Sequence, residues 1–457
     1  MTTASTLPGG ATDPAMGDEV VGHLRALLRL DTRNPPGNEN LAADYIRDVL
    51  SRDGIASETV GPSSDRASIV ARLKGDGSGR PLLLMSHTDV VAIEPDKWTQ
   101  DAFGGQIVDG FIYGRGALDM KNMVAMELQT ILELKRRGVP LKRDVIFMAA
   151  ADEEVGGRAG AGWVVDNRPE LIGDAEYALN EGGGNVRVIN GRAYYHVQTA
   201  EKGTQRFKLI ERGRPGHASL PHNDNAVVKL AARLARLRTY SPPVHISETA
   251  RAYITGLAAG QDEPLRGKLL AVLDTDAARA DAAIAALDID DSLKRQLHAI
   301  TRNTVSATIL QAGSQINVIP SEAECRCDAR IVPGQTRESF LAELRDVLGD
   351  DATIEFVHPS GSVALEAEPS GELWRTIESV LAERAPGCRV VPKMLAGATD
   401  AKWVTRLGTQ VYGFAPAVYD GPDESSRVHG HDERISVASM RWGARTLYDM
   451  VERFCRR

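Results

Sequence analysis

Two adjacent glutamates, Glu153 and Glu154, follow the apolar run 145–151, and His87 and Asp89 close a second apolar run that begins at Leu82. Carboxylates and imidazoles are the side chains that hold divalent cations and move protons near neutral pH. Adjacent glutamates repel, and the rim of a core tolerates such a pair only where cationic charge compensates. Alternation at period two puts His87 and Asp89 on one face, so the aspartate can orient an imidazole that binds metal. Further candidates are Asp119 at the mouth of a helical pattern, Glu181 before three glycines, and His429 in His429-Gly430-His431-Asp432-Glu433. Each has an ordinary alternative: a solvated loop for the glutamate pair and for His429, a cap for Asp89, a flexible turn at Glu181. For Asp119 it is an acid facing a helix dipole.

These residues need elements to carry them. The runs 82–85 and 145–151 read as buried strands, and ligands of an open α/β sheet collect at the C-terminal ends of its strands. Helical apolar spacing covers 20–30, 41–50 and 119–134, with the turn Asn34-Pro35-Pro36-Gly37-Asn38 between the first two. Strands are expected at 68–73 and 177–179, so this part is an α/β layered domain. The pattern changes near residue 200. Strands at 205–210, 305–310, 322–331 and 353–357 accompany helices at 226–237 and 338–348, and 241–300 reads as mostly helical. Helices at 372–383 and 436–454 around a strand at 410–414 return to the first style. The expected arrangement is a discontinuous catalytic domain, 17–200 with 361–457, and an inserted α+β domain at 201–360.

The whole chain excludes several classes. Its 457 residues allow two or three domains with large cores. A formal charge of −8 argues against nucleic acid as the main partner. No apolar run approaches the roughly 20 residues that span a bilayer. Residues 1–16 lack the charged and apolar regions of an export signal; they are expected to be disordered and the location cytoplasmic. Cys325 and Cys327 share one face of a strand, and without a second Cys or His pair to complete a metal site they read as structural thiols.

Taken in order, the segments 86–90, 114–121, 152–155, 180–183, 216–221, 317–320 and 429–433 resemble those of the co-catalytic dizinc metallopeptidase family 20. That family includes aminoacylases, glutamate carboxypeptidase, acetylornithine deacetylase, succinyl-diaminopimelate desuccinylase and carnosinases. The long 241–300 stretch is similar to the larger carboxypeptidase-S-like branch. The resemblance implies a mixed-sheet, dizinc exopeptidase-type catalytic domain with an inserted lid and dimerisation domain, in a homodimer. It implies two Zn²⁺ per chain, with Co²⁺ or Mn²⁺ as substitutes. Asp119 would bridge them, His87 and Glu181 would complete one site, and Glu154 and His429 the other. His431 is the rival for His429; the family pattern favours the histidine four residues before a glutamate, here Glu433.

Asp89 would support His87, and Glu153 would be the general acid/base acting on a hydroxide shared by the metals. His217 would stabilise the oxyanion in a partner subunit's site. Asn317, Arg330 and Thr399 would contact substrate, with Arg330 suited to a carboxylate by its bidentate fork. An inter-strand ion pair is the alternative for Arg330, and Ala398 stands where many relatives have a second glycine near Thr399. The implied activity is hydrolysis of an N-acyl-amino acid with a free carboxylate, with a dipeptidase or carboxypeptidase as second choice. A non-catalytic binding relative and a dinuclear phosphoesterase are the rivals from other classes. The second would need cations at the metals beyond Arg115 and Lys121.

Overall fold

The computed structural model describes residues 13–357, 361–418, 420–421 and 424–457. The chain divides into two compact units: Met1–Thr199 with Pro369–Pro392 and Thr399–Arg457, and Ala200–Glu368 with Lys393–Ala398.

The first unit is built on a mixed sheet. Its strands lie in the order Ser57–Val60, Ser68–Leu73, Val145–Ala150, Leu82–His87, Tyr177–Asn180, Gln410–Gly413, Arg192–Glu201. The four strands from Val145–Ala150 to Gln410–Gly413 run parallel, and those outside them pair antiparallel. Leu82–His87 and Val145–Ala150 are buried at every position, as strands covered on both faces must be. The register sets His87 opposite Ala150 and Asn180 opposite Gly413. The parallel strands therefore end along one edge, and His87, Glu153, Glu154 and Glu181 lie on that edge or just past it.

The helix Lys121–Arg136 is buried from Lys121 through Leu134, so its polar side chains must find partners inside. Lys121 donates to the carbonyls of Leu27 (3.0 Å) and Leu30 (2.8 Å), and Ser86 donates to Glu127 (2.5 Å). Pro14–Leu28 and Val437–Cys455 pack with this helix. Of the 1–16 segment expected to be disordered, residues 1–12 lie outside the described residues, but 14–16 are already helical. The reason is local: Asp13 caps Met16, Pro14 pre-sets the first turn, and Met16 is buried. The strand Arg192–Glu201 has no counterpart in the sequence reading, because buried His196, Gln198 and Thr199 interrupt its apolar pattern.

In the second unit, Glu322–Ile331 pairs antiparallel with Thr304–Ala312 on one side and with Gly203–Thr204 and Phe207–Arg212 on the other. Thr353–Phe356 continues the sheet beyond Phe207–Arg212. Leu230 of the helix Ala226–Arg238 and Phe340, Leu344 and Leu348 of Arg337–Leu348 pack on Phe207, Leu209, Cys325 and Cys327. Both cysteines are free and buried in that core. Between 248 and 300 lie the helices Glu248–Ala259, Leu265–Ala271, Ala277–Ala285 and Asp291–Ile300; Ser247, Asp276 and Asp290 cap the first, third and fourth. No helix among the described residues is long and apolar enough to cross a membrane.

Candidate metal centre

Five ligand-type residues from five places in the first unit converge. His87 ends its strand, Glu154 follows Val145–Ala150 in a short 3₁₀ turn, and Glu181 follows Tyr177–Asn180. Asp119 sits just ahead of the helix Lys121–Arg136, and His429 lies in the loop before Arg434–Ser436. His87 Nε2 is 3.1 Å from Asp119 Oδ1 and 4.0 Å from Glu181 Oε1. His429 Nε2 is 3.0 Å from Asp119 Oδ2 and 3.2 Å from Glu154 Oε2. One carboxylate thus turns one oxygen to each histidine. Candidate ligand atoms of His87, Asp119 and Glu154, and separately of His87, Glu153 and Glu181, all lie within 4.8 Å of one another. His431 lies away from this cluster, 3.7 Å from Glu94.

The electrostatics fit cations. Burial opposes charge on His87, but hydrogen bonds to Asp119 and Asp89 outweigh it and raise its pKa well above the usual histidine range. Asp119, and then Glu154, hold His429 up to about 10. Burial also works against the charge of Asp119, yet the two histidines carry its pKa below the usual carboxylate range. Protons on the imidazoles stand where a cation's charge would act. Among the described residues the buried Glu154 Oε1 has no hydrogen-bond partner, an orphaned acceptor of the kind a metal ion satisfies. Neutral imidazoles and hard carboxylates in this donor set suit zinc and tolerate its neighbours.

Asp89 serves differently from a plain imidazole support. His87 Nδ1 is 3.0 Å from the Asp89 main-chain carbonyl, which can only accept, so Nδ1 carries a proton and Nε2 faces Asp119. The Asp89 carboxylate, 3.4 Å from Nδ1, also accepts the N–H groups of Glu153 (3.0 Å) and Glu154 (3.1 Å). It therefore orients the glutamate pair. Burial pushes the Glu153 carboxyl up to about 8, and Asp400 adds to that.

Several supporting roles were not legible in advance. Glu433, fully buried, accepts from Arg115 (2.6 Å) and from the N–H groups of Gly116 (3.2 Å), Leu118 (2.7 Å) and Asp119 (3.1 Å). Arg115 also donates to the carbonyl of His429 (3.4 Å), whose φ is +60°, so the Asp119 and His429 loops share one buried ion pair. Arg115 and Lys121 are both buried and engaged, which leaves neither for a phosphate. Among the described residues neither oxygen of the buried Asp400 carboxyl has a hydrogen-bond partner, and burial raises this carboxyl to about 6. A Cβ added at Gly157 would lie 1.9 Å from Asp400 Oδ1, so only glycine permits this approach. Their signal in the sequence is slight, since polar residues near a motif look like any loop.

Thr399 lies in the first unit. It is buried, and its hydroxyl accepts from the Asn180 amide (2.9 Å) and the Ala401 N–H (3.1 Å), so it braces the residue before Glu181.

The remaining expected residues lie in the second unit. Gly216–His217 pairs with Val318–Ile319, and Ala218 N–H donates to the Asn317 carbonyl (3.0 Å), which brings exposed His217 and Asn317 together. The Ser219 N–H donates to His217 Nδ1 (3.2 Å), so a neutral His217 carries its proton on Nε2. Arg330 is engaged by Asp328 through Nε (2.7 Å) and Nη2 (3.1 Å) and by Thr204 through Nη1 (3.0 Å). The ion pair weighed as its alternative is present, within one strand rather than across strands.

Comparison with known proteins points the same way. Peptidase family M20/M25/M40 matches this chain over residues 83–453. The N-fatty-acyl-amino acid synthase/hydrolase PM20D1 of Xenopus tropicalis is 30% identical over 368 residues, covering 78% of this chain and 69% of that protein. Among solved structures, the M20 family metallo-carboxypeptidase Sso-CP2 of Sulfolobus solfataricus shares the fold, with a TM-score of 0.70 and 18% identity over 96% of this chain and 99% of that one. The YXEP protein of Bacillus subtilis, a dinuclear metal binding peptidase, does so with a TM-score of 0.61 and 15% identity over 96% and 98%.

Proposed function

Because the chain belongs to peptidase family M20/M25/M40, and is with it a metal-dependent hydrolase of amide or peptide bonds, we propose that it cleaves an N-acyl-amino acid with a free carboxylate. The observation that carries the mechanism is Asp119, which turns one oxygen to His87 and the other to His429. His87, Asp119 and Glu181 would hold one Zn²⁺, and His429, Asp119 and Glu154 the second. Bound there, two such ions polarise a scissile carbonyl and make a water acidic near neutral pH.

The chain's own residues supply the rest. Glu153 takes a proton from water on its carboxylate and delivers it to the leaving amide nitrogen. Its burial favours the protonated form, which suits a group that must carry the proton between those steps. Asp89 keeps the pair oriented. His217 offers Nε2–H to the developing oxyanion, acting in a partner subunit, and Asn317 adds a polar contact. Arg330 receives the substrate carboxylate with the two N–H groups left of its five.

The substrate class is supported by the relative whose name includes an N-fatty-acyl-amino acid hydrolase. A dipeptide or C-terminal peptide presents the same free carboxylate and is the second reading. A non-catalytic role is not favoured, because Glu153 and all five ligand-type residues are present in the sequence. A homodimer is supported by the outer strand Thr304–Ala312, which among the described residues pairs on one side only and exposes Ile309 and Leu310. The deciding experiment is hydrolysis of matched N-acyl-amino acids and dipeptides by metal-replete protein. Higher kcat/KM for the acyl series is expected, and a preference for dipeptides would replace the first reading by the second.

A further inference from the structure

The turn 34–38 looks like a linker between two helices, yet its first residue reaches the back of the glutamate pair. Asn34 is buried, and its main-chain N–H donates to the carbonyl of Val90 (2.9 Å). Its amide nitrogen lies 2.8 Å from Asp89 Oδ2 and 3.3 Å from Asp152 Oδ1. Both acceptors are carboxylates, so the amide must turn its nitrogen toward them. A carboxamide is a neutral group with two N–H donors, able to hold two like-charged acids side by side.

Those two acids both bear on the backbone of the pair. Asp89 binds the N–H groups of Glu153 and Glu154. Asp152 immediately precedes them with φ +73°, a left-handed conformation uncommon outside glycine. It is held there by Arg66, by the Ala159 N–H (2.8 Å), and by Glu39, which accepts the Asp152 N–H (3.2 Å). Arg66 Nε is also 3.0 Å from Glu39. Carboxylate oxygens of both Glu153 and Glu154 come within 4.8 Å of a His87 ring nitrogen, in different groupings. Which of them turns toward a metal is therefore a matter of backbone direction.

We propose that Asn34 is a positioning residue for the reaction: by clamping Asp89 to Asp152 it fixes the backbone of Glu153-Glu154, so that Glu154 faces His429 and Glu153 stays free to carry a proton. The inference rests on the roles given above to the two glutamates.

The test compares dimetal wild type with Asn34→Asp, which keeps the shape but sets a third carboxylate between the other two, and with Asn34→Ser, which keeps one donor. Turnover, KM, metal content and the visible spectrum of the Co²⁺-loaded proteins are measured. For Asn34→Asp, kcat is expected to fall about 10- to 100-fold with KM within about twofold, as for a displaced catalytic group. Its metal content should stay at about two per chain, as in the wild type, with a changed Co²⁺ spectrum. Asn34→Ser should fall between it and the wild type, and it decides the question if Asn34→Asp does not fold. A kcat within about threefold of wild type, or a loss of activity with an unchanged Co²⁺ spectrum, overturns the proposal. The proton-carrier reading is judged separately by Glu153→Gln, whose full activity would sink that reading while the spectra still report on the clamp.

Discussion

Glu433 and Arg115 join the Asp119 and His429 loops, and breaking that junction has a cost that follows from the contacts. Glu433 is fully buried and serves four donors, one of them the Arg115 guanidinium. In Glu433→Gln the amide oxygen can still serve the Leu118 and Asp119 N–H groups. Its NH₂ then faces Arg115 and the Gly116 N–H, donor against donor, beside an unpaired buried charge. Breaking one side of a buried ion pair costs about 3–5 kcal/mol. Arg115→Met, which strands the carboxylate instead, should cost a similar amount. The double variant leaves no charge stranded, so it should lose far less than the sum, with a coupling of about 2–3 kcal/mol. These figures describe rupture rather than net worth, because burial raises the Glu433 carboxyl pKa despite its partners. Urea denaturation of the metal-free proteins at constant m-value reads each change. Additivity of the two single variants within about 0.5 kcal/mol would refute the idea of one shared junction.

The other predictions concern the centre itself. Glu153→Gln should keep about two metal ions per chain while turnover falls by at least about 10²- to 10⁴-fold; near wild-type kcat in metal-replete protein would remove its role as proton carrier. Chelation should abolish hydrolysis, and Zn²⁺, Co²⁺ or Mn²⁺ should restore it; activity that survives complete metal removal, checked by elemental analysis, would contradict the assignment. Mixing inactive Glu153→Ala and His217→Ala chains should recover part of the activity if His217 works in trans, and Leu310→Lys should shift the mass measured by light scattering toward monomer. Absence of complementation in a verified mixed dimer would place His217 elsewhere.

Much of this architecture was legible because it is local. Leu82–His87 and Val145–Ala150 are unbroken apolar runs, the pattern of parallel strands buried on both faces. Arg192–Glu201 was not, because its buried His196 meets Asn185 through Nδ1 (3.1 Å), a partner that no periodicity reveals. Asn34 likewise read only as part of a turn, since its partners lie 55 and 118 residues away. Thr399 was recognisable as part of a motif, while the direction of its hydroxyl, into Asn180, was not.

The chain alone determined the kinds of ligand, their order, and the adjacency of Glu153 and Glu154, because residue type and spacing are properties of the sequence. The tertiary structure decided which oxygen of Asp119 meets which histidine, that His429 and not His431 joins the cluster, and that Asp89 gives its carbonyl to His87 and its carboxylate to the glutamate pair. The two oxygens of a carboxylate are chemically equivalent, and only contacts from distant segments can tell them apart.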